Sequence, residues 1–136
     1  METLSFCFPS EFKYLDRVYD ITSKILEEVP INLRGKKEIL LAVTEAVTNS
    51  LVHGNKRNPT KTVELTFLHD NGYLEVRIDD QGKGFRPQDV DLKKSADALV
   101  EDGRGIPIMK ACMDKVEFRF IKCRGMRVIL RKNLLS

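Results

Sequence analysis

Between residues 62 and 79 the chain alternates apolar and polar side chains twice, around one turn signal. Val63, Leu65 and Phe67 interleave with Thr62, Glu64 and Thr66, Asp70-Asn71-Gly72 comes next, and Leu74, Val76 and Ile78 resume the period of two. Such alternation marks a strand with one dry face, and two of them across a tight turn predict an antiparallel hairpin. A hairpin cannot bury that face alone, so other segments must cover it.

The first half of the chain supplies the cover. Phe12, Leu15, Val18, Tyr19, Thr22, Ile25, Leu26 and Val29 recur at three and four residues, the spacing of one helix stripe, between a candidate cap at Ser10 and a stop at Pro30. A second helix is expected over residues 33–53, with Ile39, Leu40, Val43, Ala46, Val47, Ser50 and Leu51 facing the core and Gly54 ending it. A short strand at residues 4–8 opens the fold. After a polar stretch come a short helix at about residues 106–113, admitted by Pro107, and two strands. These carry Val116, Phe118 and Phe120, then Met126, Val128 and Leu130, with Arg124 and Gly125 in the turn. The order β-α-α-β-β-loop-α-β-β predicts an α+β two-layer sandwich, a mainly antiparallel sheet with helices on one face.

Size fits this plan: 136 residues support one domain, 1–136, and 42% hydrophobic with 32% charged residues is a globular balance. Lys plus Arg exceed Asp plus Glu by 23 − 20 = 3, too small an excess to argue for nucleic acid or a membrane surface. No apolar run reaches the roughly 18 residues that span a bilayer, and the first residues lack the pattern of a signal peptide, so a cytoplasmic protein is expected. Cys7, Cys112 and Cys123 have no C-x-x-C spacing. Two of them sit in apolar sequence, which predicts reduced core thiols rather than a disulfide framework or zinc site.

Three polar constellations stand out. Glu45, Asn49 and His53 are spaced by four on the second helix, where a carboxylate and an amide oxygen could serve a hard cation or activate a hydroxyl, or could simply be a solvated outer face. Asp80-Gln81-Gly82-Lys83-Gly84 comes directly after a strand. Its glycines allow close backbone approach and its carboxylate can accept from an exocyclic amine, although Asp and Gly are also common where strands end. Gly103-Arg104-Gly105 precedes a helix and could present N–H groups to an anion, or act as a hinge. Residues 80–105 are polar, hold four of the eight glycines and lack periodicity, which suggests a functional loop. Together the three supply the needs of a magnesium-nucleotide site.

In this order the motifs resemble the GHKL ATPase superfamily (HATPase_c; the Bergerat fold). E-A-V-T-N-S-L-V-H-G is similar to its N box, D-Q-G-K-G to its G1 box and G-R-G-I to its G2 box, and the likeness runs over about residues 6–132. The wording E-A-V-T-N, H-G-N and G-R-G-I-x-I-M most resembles the bacterial anti-sigma factor serine-protein kinases, the RsbW and SpoIIAB group. The resemblance implies that Glu45 is the general base and that Asn49 ligates Mg2+. It implies that Asp80 binds the adenine amine of ATP, that Gly82 and Gly84 line the base pocket, and that Gly103, Arg104 and Gly105 sit at the phosphates under a lid over residues 85–102. Lys93, Lys94 and Ser95 are candidates for closing that lid. It further implies γ-phosphoryl transfer to Ser or Thr of a STAS-like anti-sigma-factor antagonist, alternative sequestration of a sigma factor, and a homodimer built around the N-terminal strand and first helix, with no direct nucleic-acid or membrane contact. The final hairpin departs from the pattern: Met126 and Arg127 come after Gly125 where many relatives carry a small hydroxyl residue.

The alternative is a nucleotide-gated binding module without efficient transfer. A sensor histidine kinase is disfavoured because neither His53 nor His69 lies on a dimerising helical hairpin, and a repair or topoisomerase ATPase fragment because no transducer domain follows residue 132.

Overall fold

The computed structural model describes residues 2–83 and 105–134. Strand β1 (Glu2–Pro9) leads through a 3-10 turn (Phe12–Tyr14) into α1 (Leu15–Glu27), and α2 (Leu33–Asn49) continues as a π-helical turn (Ser50–Gly54). Then come β2 (Thr62–His69), β3 (Tyr73–Asp79), α3 (Gly105–Cys112), β4 (Lys115–Ile121) and β5 (Gly125–Asn133). The five strands form one sheet in the order β1-β2-β3-β5-β4, every neighbouring pair antiparallel. The expected α+β two-layer arrangement is the one observed.

Strand alternation divides the sheet as the sequence predicts. Val63, Leu65, Phe67, Leu74, Val76, Ile78, Val128 and Leu130 are buried on one face, and Ile39, Ala42, Val43, Ala46, Val47 and Leu51 of α2 and its π turn join them in one core. Each large aliphatic side chain removed from water there stabilises the fold by roughly 1.5–3 kcal/mol. Asn32 caps α2 by accepting from the Gly35 N–H at 2.8 Å, and α3 packs alongside α2.

Several expectations change. Ser10 caps no helix: its N–H and its hydroxyl both donate to the Lys61 carbonyl, at 3.0 and 2.7 Å, tying the end of β1 to the start of β2. Phe12 and Tyr19 lie outside the buried stripe of α1, which is Val18, Thr22 and Leu26; the Phe12 ring instead carries the Arg57 guanidinium at 4.9 Å. Only Cys112 is a core thiol. Cys7 falls between Phe6 and Phe8, so the pleat turns it outward, and Cys123 sits exposed in the β4–β5 turn at φ 68°. All three thiols are free.

The face away from the helices is charged. Glu75 is buried there and accepts from Arg77 Nε at 2.7 Å and from Arg131 Nη2 at 2.6 Å, while Asp79 accepts from one edge of the Arg127 guanidinium, from Nε at 2.8 Å and Nη2 at 3.2 Å. Burial would raise the Glu75 carboxyl, but hydrogen bonds from Arg131 and Arg77 hold it below its ordinary 4.5. A carboxylate with a depressed native pKa gives stability that is present above 4.5 and lost as pH falls through the native value. Glu75→Gln should therefore lower stability by on the order of 2 kcal/mol at neutral pH, with the gap closing at acid pH. Urea melts of both proteins across that range measure it.

Candidate functional site

The last turns of α2 carry the site. Through Asn49 the chain keeps α-helical bonding, and then the Asn55 N–H reaches back five residues to the Ser50 carbonyl at 2.8 Å. This wider π turn swings Gly54 against the segment that leaves β3. A Cβ on Gly54 would overlap Asp80 Oδ2, and one on Gly82 would overlap the Gly54 carbonyl. Two backbones meet here with no room for a side chain on either.

Asp80 lies where those segments meet and is 3% exposed. Its N–H donates to the Met126 carbonyl at 3.0 Å. In return the Met126 N–H donates to Asp80 Oδ1 at 3.0 Å, and the Gly82 N–H donates to the same oxygen at 2.9 Å. Oδ2 is buried and has no hydrogen-bond partner among the described residues. Burial pushes the carboxyl above its ordinary 3.8, the two N–H donors oppose that, and the neighbouring Asp79 charge adds to it. Gly125 makes the approach of β5 possible. Its φ is +148°, and a Cβ there would collide with the Asp80 carbonyl.

A second group forms one turn earlier. Asn49 is 1% exposed, and neither atom of its amide has a hydrogen-bond partner among the described residues. Gly105, first residue of α3, faces it: a Cβ on Gly105 would stand 3.4 Å from both Asn49 amide atoms and 3.0 Å from Glu45 Oε2. Glu45 is half-buried, so these two residues of α2 do not form a solvated outer face. Leaving an amide buried without partners costs about 1–3 kcal/mol, which argues that it serves a group outside the described residues.

The structure thus brings Glu45, Asn49 and Gly105 together, and Asp80 with Gly82. Both groups sit along the single segment that runs from Glu45 to Gly54. Gly84, Gly103 and Arg104 lie outside the described residues, as do the lid and its Lys93, Lys94 and Ser95. Sequence reasoning did not assign Gly54, Gly125 or the Met126 backbone to the site. The hydroxyl residue expected after Gly125 is replaced by Met126, yet the main-chain N–H there still serves Asp80. A cavity of about 410 Å³ opens on the charged face of the sheet, beside Glu64, Asp79 and Arg127; it borders Asp80 but not Asn49 or Glu45. Asp80 Oδ2 and the Asn49 amide, buried without hydrogen-bond partners among the described residues, rather than that hollow, mark the candidate site.

The family description "Histidine kinase-like ATPase domain" matches residues 8–132. The chain belongs to this family. Within that histidine kinase-like ATPase family, which is the GHKL superfamily of the sequence motifs, it groups with bacterial anti-sigma factors. It is 33% identical to the anti-sigma F factor of Priestia megaterium over 103 residues, covering 73% of this chain and 70% of that one. It is 29% identical to the anti-sigma F factor of Oceanobacillus iheyensis over 137 residues, covering 97% and 91%. The anti-sigma F factor of Clostridium perfringens is 26% identical over 134 residues, covering 96% and 94%. An ATPase domain of this family binds ATP.

Crowding by backbone gives a direct test of the close approach. Gly82→Ala should cost on the order of 3 kcal/mol, because the obstructing carbonyl of Gly54 cannot rotate away as a side chain would. Chemical denaturation measures the loss; a wild-type midpoint would contradict the packing described.

Proposed function

We propose that this chain is an ATP-dependent serine/threonine-protein kinase acting as an anti-sigma factor, which phosphorylates an anti-sigma-factor antagonist and in its other state holds a sigma factor. The observation that carries the reading is that Glu45 and Asn49 of α2, the latter with an amide that has no hydrogen-bond partner among the described residues, both face Gly105 at the start of α3. The names of the relatives, anti-sigma F factors, support the regulatory half.

In this reading Asp80 Oδ2 accepts a hydrogen bond from the adenine amine, and Oδ1 stays fixed by its two N–H donors. The opening of α3 at Gly105 offers main-chain N–H groups to phosphate oxygens, with Gly82, Gly84, Gly103 and Arg104 in the roles the motifs imply. The Asn49 amide oxygen, buried and without a partner among the described residues, fits a Mg2+ ligand, the harder cation preferring such oxygen donors. When bound, that ion neutralises charge on the phosphate chain. Glu45 accepts the proton of a serine or threonine hydroxyl while the hydroxyl oxygen bonds to the γ-phosphorus. The bond to the bridging oxygen breaks, and its electron pair leaves with ADP. Positioning and charge stabilisation account for most of such a reaction, so one base suffices.

The antagonist is taken to be a STAS-like protein, and the site of action the cytoplasm. No helix among the described residues is long and apolar enough to cross a membrane. A homodimer is supported by the edge position of β1, whose outer side pairs with no strand among the described residues. An apolar groove of about 220 Å³ runs between Phe6, Phe8, Tyr14, Val18 and Ile21, and Leu4 and Tyr19 are exposed nearby.

Two variants test the chemistry. Glu45→Ala should lower label transfer from ATP to the antagonist by about 10²–10⁴-fold while ATP affinity stays within about threefold. Tight ATP binding with no transfer by the wild-type protein would instead support the nucleotide-gated binding module. Asp80→Asn puts an N–H group where the adenine amine needs an acceptor, so calorimetry should show at least about a tenfold loss of ATP affinity. Stability should move the other way. The native carboxyl binds its proton more tightly than the unfolded chain does, so its contribution is full below 3.8 and fades as pH rises through the raised native value. At neutral pH the variant should therefore melt at or above the wild-type midpoint, and a loss of stability together with unchanged ATP affinity would overturn the assignment.

A further inference from the structure

We propose that Asn55 is a positioning residue that aims Asp80 at the nucleotide base, an inference that rests on the adenine reading above. Asn55 is fully buried and every polar atom it carries is used. Its Nδ2 donates to Ser10 Oγ at 2.7 Å and to the Thr62 carbonyl at 2.9 Å. Its Oδ1 accepts from the Gln81 N–H at 2.7 Å. Its main chain donates to the Ser50 carbonyl at 2.8 Å and accepts from the Asn58 N–H at 3.0 Å. One side chain thus joins the end of β1, the start of β2 and the segment just after β3, while its main chain closes the π turn.

Asp80 and Gln81 are adjacent, so fixing the Gln81 N–H fixes the peptide plane that leaves Asp80. Met126 holds the other side of that residue. Between them these contacts leave the Asp80 carboxylate little freedom, and Oδ2 keeps the direction in which it has no partner among the described residues. Gln81 adds a second strap, its Oε1 accepting from the Thr62 N–H at 2.7 Å. The chain accepts backbone strain to keep Asn55 inward. Lys56 and Arg57 come directly after it at φ 55° and 58°, left-handed values unfavourable for such side chains, and this reversal carries the Arg57 N–H to the Leu51 carbonyl at 2.8 Å. Strain held by a saturated buried network next to a half-satisfied carboxylate points to pre-organisation rather than to packing alone.

The experiment compares ATP with inosine triphosphate, which carries an oxo group where adenine has its amine, by calorimetry on wild-type protein and on Asn55→Ala. Wild type should prefer ATP by at least about tenfold, and Asn55→Ala should shrink that preference to within about threefold. A merely structural role would weaken both ligands by one factor and leave the ratio intact, which would overturn the proposal. Asn55→Ser, which retains a hydroxyl but cannot span to Gln81, is read in the same way should Asn55→Ala fail to fold. If neither variant folds, Asn55 is a folding residue and the positioning role is rejected. Failure of the adenine reading looks different: wild type itself would then bind the two triphosphates equally, or neither.

Discussion

A carboxylate with one oxygen held by two main-chain N–H groups and the other oxygen buried without a partner among the described residues sets the terms for everything around it. Asp80 can occupy that position only if three pieces of chain come close enough to touch backbone to backbone, which is why Gly54, Gly82 and Gly125 converge there. The rest of the fold delivers those pieces. The apolar faces of β2, β3 and β5 align the strands whose ends meet at Asp80, and the buried stripe of α2 presses its terminal turn against them. Hydrophobic burial supplies the free energy that offsets the cost of the groups left unsatisfied at the site.

The sheet keeps two chemistries apart although they share a backbone. Asp79 and Asp80 are consecutive, so the pleat sends them to opposite faces. Asp79 is neutralised by Arg127 on the charged side, whereas Asp80 faces the helices and is held by main-chain N–H groups. Their opposite environments arise from strand geometry alone. Arg127 thus belongs to the outer face, and Met126, standing where the family pattern has a small hydroxyl residue, serves the site through its main chain.

Much of this was legible in the sequence because it is local. The hairpin could be read from Val63 to Ile78, and the core face of α2 from Ile39 to Leu51, since a period of two or 3.6 states which side chains share a surface. Glu45, Asn49, Asp80, Gly82 and Gly105 were legible as motifs, and the fold brings Glu45 and Asn49 to Gly105 and Asp80 to Gly82. What escaped was long-range hydrogen bonding. Ser10 has the residue type of a helix cap, but its partner is 51 residues away. Asn55 comes directly after a helix end, yet its partners lie 45 and 26 residues distant at Ser10 and Gln81. Side-chain type restricts what such a residue can bond to, without saying where in the chain the partner lies.

The π turn carries a consequence for how this segment tolerates change in length. An α-helix continued past Asn49 would need one residue fewer to complete the same turn, so deleting any single residue among Ser50–Gly54 offers the backbone a more regular path. That shortened path would keep the downstream chain in phase, whereas the intact segment wound as an α-helix would set Gly54 about 100° further around the helix axis and off the Asp80 loop. The wider winding of these five residues, more than their composition, therefore keeps the two halves of the site in phase.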